Sequence, residues 1–112
     1  MELTFEAHEH AGLVAVNGSV DALTAPDLAE FINTQFAEGN SNIVVDLSQV
    51  EFMSSAGLRA LLTALKESRQ QGGDLRLAAA PPGVEKVLKM SGFLSIMKSF
   101  PGVEEALESF KP

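Results

Sequence analysis

The sequence predicts one α/β domain, residues 1–112, built on a mixed, mostly parallel sheet of four to five strands with about four helices. Three observations lead there. Strand-period and helix-period segments alternate along the chain. Ile43-Val44-Val45-Asp46-Leu47 is a nearly continuous apolar run, as in a central strand covered on both faces. The 112 residues, 46% of them hydrophobic, are enough for one core and contain no linker, repeat or low-complexity tract to divide them.

The elements follow in order. Leu3 and Phe5 alternate with Glu2, Thr4 and Glu6, the period of a half-buried strand. His8 to Gly12 reads as a turn, and Leu13-Val14-Ala15-Val16 as the second arm of a hairpin. Thr24 offers a helix N-cap, with Pro26 in the first turn and Asp27 three residues after the cap. Leu28, Phe31, Ile32 and Phe36 continue at helical spacing until Gly39-Asn40. After the central strand comes a helix with Leu58, Leu61, Leu62 and Leu65 on one face, closed by basic residues between Lys66 and Arg69 and by Gly72-Gly73. Leu75-Arg76-Leu77-Ala78 is a short strand, and Pro81-Pro82 opens a helix carrying Val84, Val87 and Leu88, stopped by Ser91-Gly92. Ile96-Met97 is a candidate last strand. Pro101-Gly102 starts a final helix with Val103, Ala106, Leu107 and Phe110 in one stripe.

Composition narrows the function. There is no Cys, which excludes a disulfide framework, a thiolate zinc site and a thiol nucleophile. Eight basic against fifteen acidic residues give a net charge of −7, which disfavours nucleic acid and anionic membranes and suits partners with basic patches. No apolar stretch approaches the ~20 residues of a membrane span, and Met1-Glu2-Leu3-Thr4 does not begin a signal peptide, so the expected location is the cytoplasm. His8 and His10 sit in one turn and are too few for a closed zinc site. The glycines form neither a phosphate loop nor a dinucleotide fingerprint, and no nucleophile–base order stands out. Enzymatic activity and a bound cofactor are therefore not expected.

The informative segment runs from Asp46 to Leu58. A buried strand ends, with Asp46 and Ser48 placed to satisfy backbone groups and Met53 to enter the core, and a helix begins near Ser55. Two readings of Ser55 stand side by side. Its hydroxyl can serve as an N-cap. It can also accept a phosphoryl group, which a helix N-terminus tolerates because free N–H groups and the dipole favour negative charge. Gly57 costs about 1 kcal/mol inside a helix relative to Ala, and with Ser54 and Ala56 it makes a side-chain-poor start that another molecule can approach closely.

Ser54-Ser55-Ala56-Gly57-Leu58 resembles the signature of STAS-domain anti-sigma factor antagonists, Asp-Ser-Ser-Gly-Leu or Asp-Ser-Thr-Gly-Leu at a strand-to-helix turn. Gly18-Ser19-Val20-Asp21-Ala22-Leu23-Thr24-Ala25 is similar to that family's Gly-Glu-Leu-Asp segment before the first helix, and Met90-Ser91-Gly92-Phe93 to its Ser-Gly-Leu. The resemblance covers nearly the whole chain in the right order. Two positions depart from it: Ser54 stands where the family has Asp, and Ala56 where Ser or Thr is common.

The resemblance implies a STAS fold and a non-enzymatic partner switch. The unphosphorylated antagonist binds an anti-sigma factor that is also a serine kinase of the histidine-kinase-like ATPase fold. It is released on phosphorylation and reset by a PP2C-type phosphatase. Ser55 aligns with the phosphorylated serine, Ser54 is a second candidate acceptor, and the partner contact is expected to include Asp21, Thr24, Ser54, Ser55, Ala56, Gly57, Leu58 and Arg59. Nothing in the chain demands more than a monomer when free. The alternative within the family is a non-phosphorylated scaffold, as in a stressosome-like assembly or a transport-ATPase complex, which the loss of the Asp at Ser54 favours.

Overall fold

Central strand β3 explains the layering. In the computed structural model, which describes Met1–Pro112, β3 spans Asn42–Met53 and its apolar start, Ile43, Val44 and Val45, is fully buried. Ile43 and Val45 face the larger of two cores, under the helices α1 (Ala25–Ala37), α2 (Ser55–Gln70) and α3 (Pro82–Met90). Val44 faces a smaller core with Ala11, Ala78 and Ala106, covered by α4 (Val103–Glu108). Alternate residues of one strand thus serve opposite faces, as the pleat requires.

The sheet has five strands in the order β1-β2-β3-β4-β5. β1 (Glu2–Ala7) pairs antiparallel with β2 (Gly12–Val20), and β2 to β3, β3 to β4 (Asp74–Ala78) and β4 to β5 (Ser99–Phe100) are parallel. The expected mixed, mostly parallel sheet with four helices is what forms. No helix is long and apolar enough to cross a membrane. α4 is held by Arg76, which donates to the Ser109 carbonyl and hydroxyl at 2.7 Å each, and whose guanidinium lies 3.9 Å from the Phe110 ring centre.

Three local expectations are corrected. The last strand is Ser99–Phe100, not Ile96-Met97; Met97 instead ends a turn, its N–H bonded to the Phe93 carbonyl and its side chain buried. β2 and β3 run on to Val20 and Met53, well past Val16 and Leu47, through polar residues and two register shifts. On β3, β4 pairs only with Asn42–Asp46, and β1 pairs with β2 only as far as Asn17, so Gly18 to Val20 of β2 and Val50 to Met53 of β3 form a two-stranded ribbon that projects beyond the rest of the sheet. Thr24 occupies the N-cap position of α1, but its side chain does not cap the helix. Its hydroxyl oxygen donates to the Ser19 carbonyl at 2.9 Å and accepts from the Asp21 N–H at 2.9 Å, turning a helix cap into a clasp on the preceding loop.

Candidate functional site

The ribbon carries the site. At its tip the Ser54 N–H donates to the Val20 carbonyl at 2.8 Å, so the chains leaving β2 and β3 start side by side, one into the Asp21–Thr24 loop and the other into α2. Ser54, in extended backbone (φ −87°, ψ 171°), is the N-cap: its hydroxyl accepts from the Gly57 N–H at 3.2 Å. The capping role that Ser55 was a candidate for therefore belongs to its neighbour. Ser55 is the first residue of the helix, exposed, and its hydroxyl has no hydrogen-bond partner within the chain.

The other expected contact residues divide by direction. Ala56 is half-buried and Arg59 exposed, beside Ser55 on the outer side of α2. Gly57 and Leu58 are buried and face inward. The bare helix start at Gly57 serves the interior: a Cβ there would lie 2.5 Å from the Met53 sulfur and 2.8 Å from Val20 Cγ1. The glycine lets α2 sit directly on the tips of β2 and β3; its bare backbone is not an outward docking surface.

Asp21 organises the loop across from Ser55. Its Oδ1 accepts from the N–H groups of Leu23 at 2.9 Å and Thr24 at 3.0 Å, and lies 3.2 Å from the Thr24 hydroxyl. The Thr24 N–H, with help from the Leu23 N–H and the Thr24 hydroxyl, holds the Asp21 carboxyl below its ordinary value of 3.8, against an opposing desolvation effect. A carboxyl lowered on folding contributes stability above its unfolded pKa and loses it as the pH falls through the folded one. Urea melts below pH 4 should thus show a steeper loss of stability in the parent than in Asp21→Asn, whose neutral amide keeps an acceptor but cannot titrate. Parallel curves would remove Asp21 from the acid response.

Two exposed apolar side chains flank this loop and strand end: Leu23, 86% exposed, and Phe52, 54% exposed. Neither was visible beforehand. Leu23 precedes an N-cap, where an apolar residue commonly packs onto the fourth helical residue, here Leu28, so nothing in the sequence marks it as solvent-facing. Phe52 lies in the ribbon, where a large apolar residue ordinarily signals core. Beside them Ala22, Ala25, Pro26 and Ala29 face Ala56, Arg59, Ala60 and Thr63 across a shallow groove between α1 and α2. Apart from Arg59, the small residues on both helices leave that groove open. His8 and His10 lie at the opposite end of β2, next to Glu6 and Glu9 at 2.6 and 3.7 Å, and take no part in the site.

Comparison with known proteins places this architecture. The family model for the STAS domain matches residues 2–106. The chain is 34% identical over 111 residues to BtrV of Bordetella bronchiseptica, assigned as an anti-sigma factor antagonist, covering 99% of this chain and 96% of that protein. It is 31% identical to the anti-sigma F factor antagonist of Paenibacillus polymyxa, covering 96% and 94% of the two chains. The crystal structure of an anti-sigma factor antagonist from Mycobacterium paratuberculosis superposes with a TM-score of 0.90 at 27% identity, covering 99% of this chain and 94% of that one.

Proposed function

The chain belongs to the STAS domain family, and from that premise we propose that it is an anti-sigma factor antagonist that works by partner switching. When unphosphorylated it binds an anti-sigma factor that is also a serine kinase; phosphorylation of Ser55 releases it, and a serine phosphatase resets it. The observation that carries this reading is the free, exposed Ser55 hydroxyl on the first turn of α2, in a helix capped by Ser54.

The chemistry is the partner's. ATP held by the kinase gives its γ-phosphoryl group to Ser55 Oγ. The Oγ–P bond forms, the β–γ bridge breaks, ADP leaves, and the hydroxyl proton passes to a base on the kinase. This protein supplies an acceptor that reaches solvent and makes no internal bond that must first be broken. The surface offered to the partner comprises Asp21, Ala56, Ser55 and Arg59 together with Leu23 and Phe52. Ser54, Thr24, Gly57 and Leu58 hold that surface in shape from within.

Ser54 also bears a hydroxyl, but its oxygen is engaged at the cap, and phosphorylation there would replace a bond that orders the helix start. The test is intact-mass measurement of protein isolated from its host, with peptide mapping across residues 52–59. A form heavier by roughly 80 Da, with the phosphate on Ser55, is expected. Phosphate on Ser54 alone would move the switch to the cap. Absence of phosphate in every growth condition would overturn the switch in favour of a constitutive STAS scaffold.

A further inference from the structure

No Lys or Arg precedes Arg59 in the chain. It is therefore the only such cation on β2, α1, β3 or the first two turns of α2. It is exposed and makes no ion pair or hydrogen bond. The other walls of its groove are alanine and proline apart from Thr63, with whose hydroxyl it makes no hydrogen bond. The Asp21 carboxylate at the same sheet end is already bonded to its own loop. In the unmodified protein Arg59 is thus an arginine with no polar partner in the chain, in an acidic half of the molecule.

Its position supplies one. Arg59 lies four residues after Ser55 on α2, and side chains four apart are neighbours on one helix face. Helical side chains lean toward the N-terminus, so Arg59 extends over the turn that carries Ser55. An anion one turn N-terminal to a cation is also the favourable order for such a pair. The guanidinium fork matches two phosphoryl oxygens at once, which a lysine cannot do.

We infer that Arg59 clamps the phosphoryl group on phosphorylated Ser55, so that modification both adds negative charge and withdraws the surface's one cation from the partner. The inference rests on Ser55 being the acceptor. Phosphorylation then changes the face twice: a group of about −1.5 to −2 charge appears, and a positive group that could meet a partner's carboxylate is taken up internally.

The test uses the full chain with phosphoserine installed at position 55 during translation, so its outcome does not depend on any host kinase. The second ionisation of the phosphate is followed by phosphorus NMR from pH 4 to 8. An arginine clamp favours the dianion, so the midpoint should lie about half a pH unit lower in the parent than in Arg59→Gln, with Arg59→Lys between them. The difference should shrink in ~1 M salt, where a surface pair is screened. Asp21, Asp27 and Glu51 are present in both proteins and cancel in the comparison. Coincident midpoints in parent and Arg59→Gln would overturn the clamp. Arg59 is exposed, so both variants are expected to fold, and matching thermal melts would verify it. Failure of the Ser55 assignment itself would appear separately, in the host peptide map.

Discussion

Gly57→Ala is expected to destabilise the domain by about 2 kcal/mol, although the same change at an ordinary exposed helix position stabilises by about 1 kcal/mol. The reversal follows from what surrounds the missing Cβ. A methyl group at residue 57 would lie 2.5 Å from the Met53 sulfur and 2.8 Å from Val20 Cγ1, inside van der Waals contact on both sides. Met53 has three rotatable bonds and can yield. Val20 is β-branched, fully buried and fixed in the sheet by its register with Met53, so it cannot swing away without moving the backbone. That backbone carries the Ser54 N–H bond to the Val20 carbonyl, so the strain falls directly on the tip of the ribbon. For a domain of this size the expected midpoint drop is roughly 5–10 °C, read by calorimetry. Val20→Ala introduced into Gly57→Ala should recover part of the loss even though Val20→Ala alone opens a cavity. A double-mutant cycle with no coupling would mean that the glycine is not required for this contact.

The fold was legible wherever burial is two-sided or periodic. Ile43-Val44-Val45 announced a central strand because helices cover both its faces, and the stripes on α1, α2 and α3 announced helices because each buries one side. The far halves of β2 and β3 were not legible. Asn17-Gly18-Ser19 and Ser48-Gln49 carry turn-like composition, yet backbone pairing resumes at Asn17 with Gln49 and the strands run on to the buried Val20, Val50 and Met53. The two register shifts break the strict alternation of apolar and polar residues, so no strand period can be read through them. The site shows the same division. That a small-residue segment starts a helix near Ser55 could be read from residue types. Which way Gly57 faces, and which serine caps, depends on the rotational setting of α2 over Val20 and Met53, a tertiary fact. Thr24 was misjudged for a related reason: a Thr at a helix start has two competing bonds open to it, and the Asp21 loop offers the better one.

Ser55→Asp should lower affinity for the cognate anti-sigma factor by two to three decades, equivalent to about 3–4 kcal/mol, while Ser55→Ala should bind like the parent. The argument turns on separating charge at the contact from damage to the fold. Ser55 is exposed and its hydroxyl is unbonded, so removing the oxygen leaves no buried group unsatisfied. An aspartate at the first helical position interacts favourably with the dipole, worth about 0.3–1 kcal/mol, so Ser55→Asp should melt at or slightly above the parent temperature. A variant that is as stable as the parent yet fails to bind locates the effect at the interface. There the carboxylate must be desolvated against the partner, with Arg59 the one cation of this helix start to offset it. Ser54→Ala provides the opposite signature: loss of the bond to the Gly57 N–H should cost about 1 kcal/mol of stability, with the acceptor and the contact face retained. Titration calorimetry against the anti-sigma factor, paired with thermal melts of all three variants, reads both axes. Equal affinity of Ser55→Asp and Ser55→Ala would show that charge at this position does not control binding, and the switch would then have to be sought elsewhere on the surface.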